Sequence, residues 1–131
     1  MTPGRPVAVV VEREGQARDL EAHFLQDSGF QVEVASDGAT GWEKVRQLHP
    51  DLVLSEVLVP KLDGLALCRQ IKSSPDTQGI PVLIVSMLAA TSRSRDAGAD
   101  GFLLKPISQD RLAGEVARIV PRPAPRIEEA T

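Results

Sequence analysis

The sequence predicts an α/β domain in which five parallel strands are covered by helices on both faces, and three observations carry that expectation. Short apolar runs without polar alternation, Val7–Val11, residues 52–54 and residues 81–86, suit strands buried on both sides. Between such runs lie segments with apolar residues three or four apart, each long enough to hold the helix that a parallel crossover needs. At 131 residues, with 42% hydrophobic and 25% charged content, the chain is sized for one core that needs neither disulfide nor metal.

In chain order, residues 1–6 read as an N-terminal extension and residues 7–120 as the domain. Val7–Val11 is β-branched and ends in the polar turn Glu12-Arg13-Glu14-Gly15. Residues 16–28 form an amphipathic helix, with Leu20 and Phe24 four apart and Ala17 and Leu25 on the same flank, stopped by Gly29. Gln31–Ala35 alternates as a half-exposed edge strand does. Asp37-Gly38 turns into a helix carrying Ala39, Trp42, Val45 and Leu48, which His49-Pro50 ends.

The strand at 52–54 runs into Ser55-Glu56 and a turn reaching Gly64. Asp63 is the expected N-cap of a helix with Leu67, Cys68 and Ile71 inward. After the strand at 81–86, residues 87–97 barely reach the roughly ten to twelve residues of a minimal helical crossover. They lack a clean apolar stripe, so the fourth helix is expected to be short or displaced. Residues 101–105 are the last strand, and Ser108 caps a final helix with Leu112, Val116 and Ile119 on one face. Pro121, Pro123 and Pro125 cannot continue it, and 121–131 read as a flexible tail.

Composition narrows the function classes. A net charge of −3 with 3% aromatic residues disfavours nucleic acid as a direct ligand, since phosphate wants a basic face and single strands want stacking platforms. No run suits a bilayer span or a signal peptide, and the single cysteine, Cys68, fits a reducing compartment, so the expectation is a cytoplasmic protein without membrane contact. His23 and His49 have no second ligand at metal spacing. In a parallel sheet, ligands and chemistry gather at the carboxyl ends of the strands. Glu12, Arg13, Glu56, Ser86 and Lys105 all fall there.

Those residues resemble the receiver domain of two-component response regulators, over about residues 7–120. The stretch from Pro50-Asp51-Leu52-Val53-Leu54 to Val59-Pro60-Lys61-Leu62-Asp63-Gly64 is similar to the family's phospho-acceptor strand and loop. Ala97-Gly98-Ala99-Asp100-Gly101-Phe102 and Lys105-Pro106 are similar to its fifth strand and pocket lysine. The resemblance implies a flavodoxin-like strand order 2-1-3-4-5, a cis Lys105-Pro106 bond, and switch-like roles for Ser86 and Phe102. It also implies Mg²⁺ held by an acidic pair after the first strand, and an aspartate acceptor after the third.

Here the pair is Glu12-Arg13 and the acceptor position holds Glu56. Arg13 puts a cation where Mg²⁺ needs an oxygen ligand. Glu56 carries its carboxylate one methylene farther out, in chemistry where about 1 Å of misplacement can cost a hundredfold in rate. Counting Glu12 and Glu56 against Arg13 and Lys105, the site is neutral and closes on itself by ion pairing. No metal or other cofactor is therefore expected.

The plainer readings are that Glu56 is a salt-bridge partner of Lys105 or Arg13, that Ser86 bonds backbone, and that Trp42 and Cys68 are packing residues; Phe102 suits core or switch equally. A flavodoxin-like nucleotide binder is disfavoured by the acidic Glu12-Arg13-Glu14 turn, which repels phosphate. The expectation is a pseudo-receiver, not an enzyme, that binds signalling proteins as a monomer or weak dimer. The alternative is a working receiver that phosphorylates Glu56 or another acceptor.

Overall fold

The computed structural model describes residues 4–121. The tail expected over 121–131 lies, apart from Pro121, outside the described residues. Strands β1 (Val7–Val11), β2 (Gln31–Ala35), β3 (Leu52–Ser55), β4 (Val82–Ser86) and β5 (Gly101–Leu104) alternate with helices α1 (Gly15–Asp27), α2 (Gly38–Leu48), α3 (Gly64–Ser73), α4 (Thr91–Asp96) and α5 (Gln109–Ile119). All strand pairings are parallel and the order is β2-β1-β3-β4-β5. This is the flavodoxin-like arrangement expected from the sequence.

Alternation along the central strands divides the interior into two layers. Val9, Val11, Val53, Val82 and Ile84 face α2 and α3, where Val45, Leu67, Cys68 and Ile71 meet them. Ala8, Val10, Leu52, Leu54, Leu83 and Val85 face Leu25 of α1 and Leu112 and Val116 of α5. Trp42 packs at the margin of the first layer with Arg46 over its ring. The Cys68 thiol is buried there, donates to the Ala97 carbonyl at 3.4 Å, and is pushed up to about 11, mainly by burial.

Side-chain caps set the helix starts. Asp63 accepts from Ala66 N–H at 2.8 Å and Ser108 from Arg111 N–H at 3.1 Å, as the sequence suggests, and Asp37 accepts from Thr40 N–H at 2.7 Å. Glu14 caps α1 through Gln16 and Ala17 N–H, and those bonds hold its carboxyl below the ordinary value. The fourth helix is indeed short: α4 has six residues and no side-chain cap.

The face of α1 differs from expectation. Leu20 is 47% exposed, and the inward positions belong to Glu21 and Leu25. Ala17, Glu21 and Leu25 are spaced by four, so the buried line is rotated one step from Leu20, and it contains a carboxylate.

Turn geometry at the end of β3 is fixed by close approach. Gly64 N–H donates to the Val57 carbonyl at 2.8 Å, and a Cβ at Gly64 would overlap the Glu56 carbonyl oxygen. Gly64→Ala is therefore expected to cost about 1–3 kcal/mol through forced backbone displacement, read as a lower urea midpoint. An unchanged midpoint would show that the turn yields freely.

Candidate functional site

Backbone pairing places the site residues before any side chain is considered. Glu12 N–H donates to Ala35 O, Glu56 N–H to Val11 O and Lys105 N–H to Ser86 O, each at 2.9 to 3.0 Å, so the first residue past β1, β3 and β5 stays locked to the neighbouring strand. The carboxyl rim thus holds Glu12, Glu56, Ser86 and Lys105 side by side. The Lys105-Pro106 bond is cis.

At the centre is the Lys105 ammonium, whose side chain is 16% exposed. Its Nζ lies 2.8 Å from Glu12 Oε1, 3.1 Å from Glu56 Oε1 and 3.8 Å from Glu21 Oε2. Burial opposes its charge, but the hydrogen bonds to Glu12 and Glu56 prevail and hold the ammonium above its ordinary value.

The Glu56 carboxylate is fully engaged. Oε1 takes Lys105, while Oε2 accepts from the N–H of Val57 at 2.6 Å, the N–H of Leu58 at 3.1 Å and the Ser86 hydroxyl. Ser86 Oγ in turn accepts from Leu88 N–H at 3.2 Å, so it bonds both a side chain and backbone. Glu12 is closed similarly, Oε1 on Lys105 and Oε2 accepting from Glu14 N–H at 3.2 Å. Phe102 is half-buried and packs against the layer beneath α2 and α3.

Two corrections to the sequence reading follow. Arg13 is exposed and forms no ion pair among the described residues, so it neither balances the pocket nor reaches Glu56. Its place in the charge count is taken by Glu21, from α1, which the sequence reading passed over. Three carboxylates around one ammonium leave a formal excess of two negatives, not the neutrality expected. A glutamate in the Ala17–Leu25 spacing was the available signal.

The excess weighs against ionisation of Glu21. Burial, then the neighbouring Glu12 charge, push Glu21 up to about 8, against an ordinary 4.5. Mg²⁺ wants several oxygens in open octahedral array. Here the ammonium bridges Glu12 and Glu56, and among the described residues no group of three or more metal-ligating side chains is arranged to hold an ion. The donor set does not fit the metal.

A doubly wound parallel sheet whose carboxyl rim gathers two acidic strand ends, a hydroxyl and a lysine defines a receiver-type signalling module. Residues 8–117 match the response regulator receiver domain. The gliding motility regulatory protein of Myxococcus xanthus is 41% identical over 100 residues, 74% of this chain and 13% of that one. Response regulator MprA of Mycobacterium sp. (strain KMS) is 32% identical over 124 residues, 92% of this chain and 53% of that one. The chain spans about half the length, or less, of these relatives. Among solved structures, the receiver domain of a signal transduction histidine kinase from Syntrophus aciditrophicus matches with a TM-score of 0.80 at 34% identity, over 86% of this chain and 88% of that one. The chain belongs to the response regulator receiver domain family. Among the described residues no helix is long and apolar enough to cross a membrane.

Removing the shared cation tests the electrostatics. Lys105→Met leaves buried carboxylates without their partner and is expected to cost about 3–5 kcal/mol near neutral pH. The deficit shrinks as pH falls, because protonation replaces the missing charge; urea midpoints across pH read it. In the parent the direction is the same but the window is alkaline: the raised Lys105 value means its stabilisation is present below 10.5 and is lost as pH rises through the folded value.

Proposed function

We propose that this receiver domain does not accept a phosphoryl group and instead serves signal transduction as a constantly engaged protein-interaction module. The observation that carries this reading is the complete engagement of Glu56 by Lys105, Ser86 and the amides of Val57 and Leu58. Attack on a phosphoryl donor needs a free carboxylate oxygen approached in line and a cation to gather the phosphoryl oxygens. In this site the donors that would receive a phosphoryl group are already bonded to a carboxylate, and the cation is a tethered ammonium.

The domain thereby holds, without chemistry, a closed set of contacts between β3, β4 and β5. Its partners are signalling proteins, met directly and not through nucleic acid or membrane, and the reading includes no catalytic turnover. Mg²⁺ is not required and does not bind at physiological concentration, since entry would mean displacing Lys105 from two carboxylates at once.

Intact mass after incubation with Mg²⁺ and a small acyl phosphate is the direct test. No adduct is expected, and a stable phosphoryl adduct on Glu56 would favour a working receiver and defeat the proposal. Titrating Mg²⁺ at neutral pH while following the amide signals of Val57 and Leu58 provides a second reading. Saturation near millimolar would show a functioning metal site. Glu56→Asp combined with Arg13→Asp shortens the latch and restores the acidic pair, and is expected to gain measurable phosphorylation where Glu56→Asp alone does not.

A further inference from the structure

Glu21 has no place in the reading above, and its surroundings are unusual for a carboxylate. Its side chain is 3% exposed, on the face of α1 that otherwise presents Ala17 and Leu25 to the sheet. Oε1 is buried without a hydrogen-bond partner, and Oε2 stands 3.8 Å from an ammonium already committed more closely to Glu12 and Glu56. An ionised carboxylate with a bare buried oxygen is costly, whereas a carboxylic acid needs one acceptor for its proton. A mostly apolar cleft of about 280 Å³ opens beside it, walled by Leu20, Met87 and Ile107, and the one cation lining it is Lys105 itself, so that side adds no further compensating charge.

The groups around Glu21 confirm the shortage of cations. Glu12 faces it from the end of β1, Glu56 from β3 and Lys105 from β5. On α1 itself, Arg18 donates to the carbonyls of Glu12 and Arg13, Asp19 is exposed, and His23 pairs with Asp27. On β2, Glu33 pairs with Lys44. On α5, Arg111 turns to the carbonyls of Leu104 and Pro106, Glu115 pairs with Arg118, and Asp110 is exposed.

We propose that Glu21 is a proton-holding positioning residue: its proton is what lets a single ammonium close the site, and loss of that proton draws Lys105 from Glu56 toward Glu21 and loosens the latch. The second half rests on the engaged Glu56 described under the proposed function; the first half stands on the geometry alone. The raised value of about 8 supports it and sets the window. The folded chain keeps this proton up to about 8 while the unfolded chain releases it near 4.5, so the folded state binds more protons between them and stability falls as pH rises through that range. The resting domain is therefore tightest on the acid side of 8 and loosens above it.

The test uses the full chain labelled with ¹³C at glutamate side-chain carboxyls, titrated from about pH 6 to about pH 10. Glu21→Gln assigns the Glu21 signal by its loss. The expected result is a Glu21 carboxyl inflection near 8, with the Val57 and Leu58 amides, which bond Glu56, shifting at the same midpoint. Those amides are flat in Glu21→Gln, and equally in Glu21→Leu, which fills the apolar slot and keeps the test available if the glutamine variant folds poorly. A Glu21 carboxyl already ionised at the acid end overturns the proposal, as does an amide inflection that survives both substitutions. Amides that stay flat in the parent while Glu21 titrates overturn the coupling to Lys105. A phosphoryl adduct in the mass experiment overturns the functional reading and leaves the Glu21 titration standing, so the two fail separately.

Discussion

One ammonium shared among buried carboxylates is the constraint on which the site depends. Charges taken out of water must be matched, and the penalty for an unmatched one is several kcal/mol. Lys105 answers Glu12 and Glu56 directly, leaving Glu21 as the third acid at longer range. Such a cluster is tolerable only if its members cannot drift. The rigidity comes from the parallel ladder, in which every acid or base past a strand end is anchored through its own backbone to the adjacent strand.

The two ends of the sheet differ in how they are finished. At the amino ends, Asp51 accepts from Val7 N–H and Asp100 from Val82 N–H, both at 2.8 Å, so carboxylates there serve backbone donors. Asp100 also meets Lys72 at 2.9 Å. At the carboxyl ends the carboxylates face one another and a single cation. The same chemical group thus stabilises strand starts on one side, as aspartate, and crowds around one cation on the other, as glutamate.

Much of the fold was legible because each central strand is an apolar run between turn residues, and because Asp63 and Ser108 stand where caps are needed. Strand ends are also legible, so Glu12, Glu56, Ser86 and Lys105 could be placed at one rim. Two things were not. Whether Arg13 points in or out is decided by the turn after β1, and backbone direction there is not written in residue type. Glu21 was hidden by the rotation of α1: Leu20 and Phe24 suggest one stripe, and the tertiary packing selects its neighbour, with a carboxylate in it. A local pattern cannot reveal a charge buried by distant residues, because only the assembled rim supplies Lys105.

Cys68 illustrates a different kind of insulation. Its thiol is enclosed between α3 and the segment after α4, bonded to the Ala97 carbonyl and pushed up to about 11, so at neutral pH almost none of it is thiolate. Peroxide and disulfide exchange act on accessible thiolate. The folded state is deaf to oxidants through its one described thiol, and alkylation of Cys68 becomes a clock for the opening of the α3 side of the sheet.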